Sequence, residues 1–71
     1  MKYIVIELQT ASNGNVANIV TAYDGLNQAE SKYHQVLSAA AVSEVPKHAA
    51  VLMNSEGGFM AAQCYEHEGG E

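Results

Sequence analysis

The chain has 71 residues, with eight acidic side chains against three lysines and no arginine, for a net charge of −5. Three scattered lysines (Lys2, Lys32, Lys47) cannot neutralise a phosphate backbone, so nucleic-acid binding is not expected, and an acidic surface also disfavours anionic membranes. Only about 60% of the unfolded surface can be buried at this length. With Cys64 as the single cysteine, no internal disulfide is available to compensate. That shifts the expectation toward self-association.

Residues 2–10 alternate in type and read as a first strand, with Ile4, Ile6 and Leu8 on one face and Tyr3, Val5, Glu7 and Gln9 on the other. The run is too short for a signal peptide or a membrane span. Asn13-Gly14 is a strong hairpin signal, and a second strand is expected from about Val16 to Tyr23. A two-residue loop sets Leu8 against Ile19, Ile6 against Thr21 and Ile4 against Tyr23. A three-residue loop is read as keeping the same even-to-odd pairing.

Asp24 is the expected N-cap of a helix whose apolar positions recur at Leu26, Ala29, Tyr33, Val36, Leu37 and Ala40. The helix should stop near Val42, because Pro46 cannot continue it and Val45 prefers an extended shape. A second hairpin follows, His48 to Met53 and Phe59 to Glu66, closed by Asn54-Ser55-Glu56-Gly57 with glycine in the left-handed position. That turn sets Leu52 against Phe59. Both faces of this hairpin are apolar, so they are interchangeable at this level. Residues 1–67 read as one domain and residues 68–71 as a flexible tail.

The order ββαββ predicts an α+β fold: a four-stranded antiparallel sheet with one helix packed on one face. With the expected strands numbered β1 (residues 2–10), β2 (16–23), β3 (48–53) and β4 (59–66), two orders keep every pair antiparallel, β2-β1-β3-β4 and β1-β2-β4-β3. The first is preferred because it centres the most apolar strand.

The sequence carries little that points to catalysis. Cys64 and His67 lie three apart in an expected strand and so face opposite ways. Cys64 has Glu66 nearby rather than a positive group that would favour a reactive thiolate. Glu30 and His34 form an i, i+4 pair, as solvated helix surfaces commonly do. Gly57-Gly58 closes a hairpin and does not meet a helix N-terminus, so no phosphate cradle is expected. The expectation is a protein without catalytic residues, metal or cofactor.

The unusual feature is the second sheet face, which one helix cannot cover. In the register above it carries Tyr3, Val5, Val20, Leu52, Phe59 and Tyr65, with Glu7, Gln9, His48 and Gln63 among them. An apolar, aromatic surface of this breadth is normally a contact site.

The stretches Lys2-Tyr3-Ile4-Val5-Ile6-Glu7, Tyr23-Asp24, Gln28 to His34, Leu37 to Ser43 and Tyr65-Glu66-His67 resemble small uncharacterised proteins encoded in phage and prophage segments of anaerobic gut bacteria. The resemblance carries no catalytic motif and implies a setting, inside the host cell or associated with a virion, rather than a mechanism. The leading expectation is a protein-binding accessory or structural protein that forms a homodimer through the uncovered face. A small acidic inhibitor of a host nucleic-acid-binding or defence protein, occupying a basic site, is a second reading. A third is an enzyme or ligand-binding domain with a site at a subunit interface, gathering His48, Tyr65 and Glu7.

Overall fold

The computed structural model describes residues 2–67; the expected tail, residues 68–71, lies outside them. Strands β1 (Tyr3–Thr10) and β2 (Val16–Tyr23) precede helix α1 (Leu26–Ala41), and β3 (Lys47–Asn54) and β4 (Phe59–Glu66) follow. They form one antiparallel sheet in the order β2-β1-β3-β4. This is the expected fold and strand order. The helix lies chiefly over β3 and β1.

Both hairpins close with the same three-residue turn. Ala11 N–H donates to the Asn15 carbonyl at 2.8 Å, and Gly14 N–H to the Ala11 carbonyl at 2.9 Å. Asn54 N–H likewise donates to the Gly58 carbonyl at 2.9 Å, and Gly57 N–H to the Asn54 carbonyl at 3.2 Å. Gly14 and Gly57 supply the left-handed residue of each turn, at φ +90° and +88°. Asparagine braces both loops: Asn13 Oδ1 accepts from Asn15 N–H, and Asn54 Oδ1 from Glu56 and Gly58 N–H.

An odd loop moves the pairing by one residue, not two, and this corrects the expected register. Leu8 faces Asn18, Ile6 faces Val20 and Ile4 faces Ala22. Every side chain of β2 is therefore turned to the other face. In the second hairpin the expected partners are also displaced: Leu52 faces Ala61, and Phe59 faces Met53. A β-bulge between Leu52 and Met53 leaves Met60 as the extra residue. The bulge puts Ala61, Gln63 and Tyr65 on Leu52's side while Phe59 stays on Met53's side.

The helix begins one residue later than expected. Gly25 is the N-cap, with no side-chain cap bond, and Asp24 is ion-paired with Lys2 instead. At the other end Val42 is the C-cap. His67 Nε2 donates to the Ala40 carbonyl at 2.8 Å, satisfying one of the last helix acceptors. Ala29, Tyr33, Val36 and Ala40 form the buried stripe. Ala29, Tyr33 and Val36 pack on Val5, Ala50 and Leu52, with Tyr3, Tyr23, Leu37 and Ala61 around the margin. Alanine at 29 and 50, both fully buried, lets helix and sheet approach closely.

Candidate interaction surface

The structure divides the six expected contact residues. Val20 and Phe59 lie on the open face and are 57% and 70% exposed. Val5 and Leu52 are instead core residues beneath the helix, 1% and 3% exposed. Tyr3 and Tyr65, on the same side, are half-buried. The assignment of Tyr3, Val5, Leu52 and Tyr65 to the uncovered face is thus corrected. The odd first turn and the bulge explain why Val20 and Phe59 part company with them.

The face that remains open is built on Ile4, Ile6 and Leu8 of β1. Val20 and Ala22 flank them on β2, Val51 and Met53 on β3, and Phe59 and Ala62 on β4. Alternation along each strand fixes this set once the pairings are known. Its charged members, Lys47 and Glu66, face each other at one end of the sheet. Cys64, exposed and free, lies on the same face opposite Ala49.

The polar residues expected on the open face are on the helix side. Glu7 Oε2 accepts a hydrogen bond from His48 Nε2 at 2.7 Å and another from Gln9 Nε2 at 3.0 Å. The His48 and Glu7 side chains are only 5% and 17% exposed. Burial raises the Glu7 carboxyl. The hydrogen bonds from His48 and Gln9, with the charges of His48 and Lys32, outweigh that and hold it below the ordinary carboxylate value. His48 Nδ1 is buried without a partner. The paired β1 and β3 strands bring Glu7 and His48 together, and Tyr65 lies opposite His48 on β4. Two of the three groups proposed for a subunit-interface site therefore do bond, but inside one chain and beneath the helix. The geometry is that of a buried structural pair.

Tyr33, on the buried face of the helix, has its phenol raised by burial and then by proximity to Tyr65. Cys64 and His67 point to opposite sides of the sheet, as their spacing implies, since His67 turns in to the helix end. Among the described residues no group of three His, Cys, Asp or Glu side chains could hold a metal ion. A cavity of about 410 Å³ opens between the first hairpin tip and the loop before β3, lined by Gln9, Ser12, Val16, Glu44 and Pro46 among others. Among the described residues no helix is long and apolar enough to cross a membrane.

Comparison with known protein families, curated proteins and solved structures finds no match for this chain.

Proposed function

We propose that this protein is a protein-binding module that self-associates through its open sheet face. The carrying observation is the composition of that face: an unbroken apolar centre, with Val20 and Phe59 mostly exposed and charge confined to the Lys47–Glu66 end. Four strands of eight residues present a footprint of roughly 500 Å² before side-chain relief is counted. Burying it would remove roughly 600–800 Å² per subunit, the lower range of specific interfaces. A second copy is the occupant that meets this need with no new chemistry. Identical apolar faces are self-complementary, and two-fold pairing is the default for such contacts.

The acidic side chains do not favour capture of a basic partner by this surface. Asp24, Glu30, Glu44 and Glu56 sit in loops, the second turn or the helix, and Glu7 is under the helix. An accessory or structural role of phage type, in the host cytoplasm or a virion, is the setting that the sequence resemblance supplies for this reading.

Cys64 provides a native probe. Its alkylation by iodoacetamide should slow as protein concentration rises through the micromolar range, and Phe59→Glu should abolish that dependence by placing a charge in the desolvated contact. A rate independent of concentration up to millimolar protein would refute the reading.

A further inference from the structure

The two edges of the sheet are guarded differently. Edge strands present unpaired backbone groups, and proteins normally blunt them with charge, proline or a bulge. On β4 the bulge at Met60 and the carboxylate of Glu66 do this. The other edge, β2, reads Val-Ala-Asn-Ile-Val-Thr-Ala-Tyr, eight residues without charge, proline or bulge. Its first five residues are exposed, including Ile19 at 53% on the helix side, which α1 does not cover.

We infer that β2 pairs antiparallel with β2 of a second copy, extending the sheet across a two-fold axis at Ile19. The hydrogen-bond phase selects this register. Ala11 N–H bonds the Asn15 carbonyl, so by strict alternation Ala17, Ile19, Thr21 and Tyr23 direct their backbone groups to β1. Val16, Asn18, Val20 and Ala22 direct theirs outward. A two-fold axis normal to the sheet keeps each face on its own side, so even residues must meet even ones. Centring the axis on Ile19 sets Val16 against Ala22 and Asn18 against Val20, and uses every outward group in about eight inter-chain hydrogen bonds. Centring it on Val20 leaves Val16 unpaired within the strand. The occupant is a second copy because the strand is uncharged and matches itself along its whole length. The helices, lying chiefly over β1 and β3, leave Ile19 at the seam uncovered.

This contact uses a different surface from the open face and stands independently of the proposed function. It joins two open faces into one continuous surface. Being smaller, it forms at higher protein concentration than the face contact.

The register makes a cross-linking test. The Ile19 pair is a non-hydrogen-bonded one, with Cα atoms about 4.5 Å apart, within the range a disulfide spans. In full-length protein carrying Cys64→Ser, Ile19→Cys at about 0.5 mM with diamide as oxidant should form a disulfide-linked dimer. It should form at least about tenfold faster than with Ala17→Cys, which shares the face but sits four residues from its own copy. The same cross-link should persist when Ile6→Glu disrupts the open face. Equal rates at positions 17 and 19, no cross-link at 19, or loss of the cross-link with Ile6→Glu would each overturn the inference.

Discussion

At the scale of single residues, the Glu7–His48 pair shows how polar groups come to lie under a helix in a chain this small. Glu7 accepts from both His48 and Gln9, so its carboxylate keeps the hydrogen bonds that burial would otherwise remove. Removing one partner should cost more than removing both. His48→Leu should destabilise by about 2–3 kcal/mol, since it strands a largely buried carboxylate. The double variant Glu7→Leu/His48→Leu should recover part of that loss in urea unfolding. The pair also sets a pH dependence. The folded-state pKa of Glu7 lies below its ordinary value of 4.5. Its contribution is therefore complete above that value and is lost as pH falls through the lower, folded one. Glu7→Gln should accordingly be less stable than the parent at pH 7, with the difference narrowing below about pH 4.5. A difference that stays constant into acid would show that the carboxylate is not what the site stabilises. Gly57 offers a separate test of backbone conformation. A Cβ there meets nothing within 4 Å, so Gly57→Val should cost about 1 kcal/mol or more through φ alone. Gly57→Asn should lose less, because asparagine tolerates the left-handed region. Thermal unfolding of the two variants side by side measures this.

At the scale of elements, local patterns carry the assignment and turn length decides the faces. The helical stripe of Ala29, Tyr33, Val36 and Ala40, the stop before Pro46 and the two Gly-containing turns are all legible in the sequence. The strand order is legible too, because centring β1 buries the most apolar strand. The faces are not, for two physical reasons. A three-residue turn changes the pairing parity, and Ser12-Asn13-Gly14 serves as a three-residue loop while containing the two-residue Asn-Gly signature. The bulge at Met60 shifts parity a second time and has no clear sequence mark, since Phe59 and Met60 are both large and apolar. Composition also misleads: the β1 face with Glu7 and Gln9 is the buried one, because those groups satisfy each other and His48. The hydrogen-bonding complementarity of Glu7 and His48 was the available signal. Neighbouring residues on β3 test the corrected faces directly. Leu52→Ala should cost about 2–4 kcal/mol in dilute solution by opening a cavity under the helix. Met53→Ala, on the open side, should cost less than about 1 kcal/mol there. Equal losses at the two positions would contradict the face assignment.

At the scale of the whole molecule, one 16-residue helix covers one side of a four-stranded sheet and leaves the other bare. The closed side has a small core with two alanines, Ala29 and Ala50, in the helix–sheet contact, and the other side carries Ile4, Ile6, Leu8, Val20 and Phe59. A fold with so modest a core gains from a partner that covers the remaining apolar surface. Sedimentation equilibrium of the parent protein and of Ile6→Glu, from about 1 to 100 µM and with circular dichroism to verify the fold, tests this most directly. The open-face account predicts a reversible monomer–dimer equilibrium in the parent, with Kd on the order of micromolar, and a folded monomer for Ile6→Glu across the same range. A parent that stays monomeric throughout, or an Ile6→Glu variant that dimerises as the parent does, would contradict it.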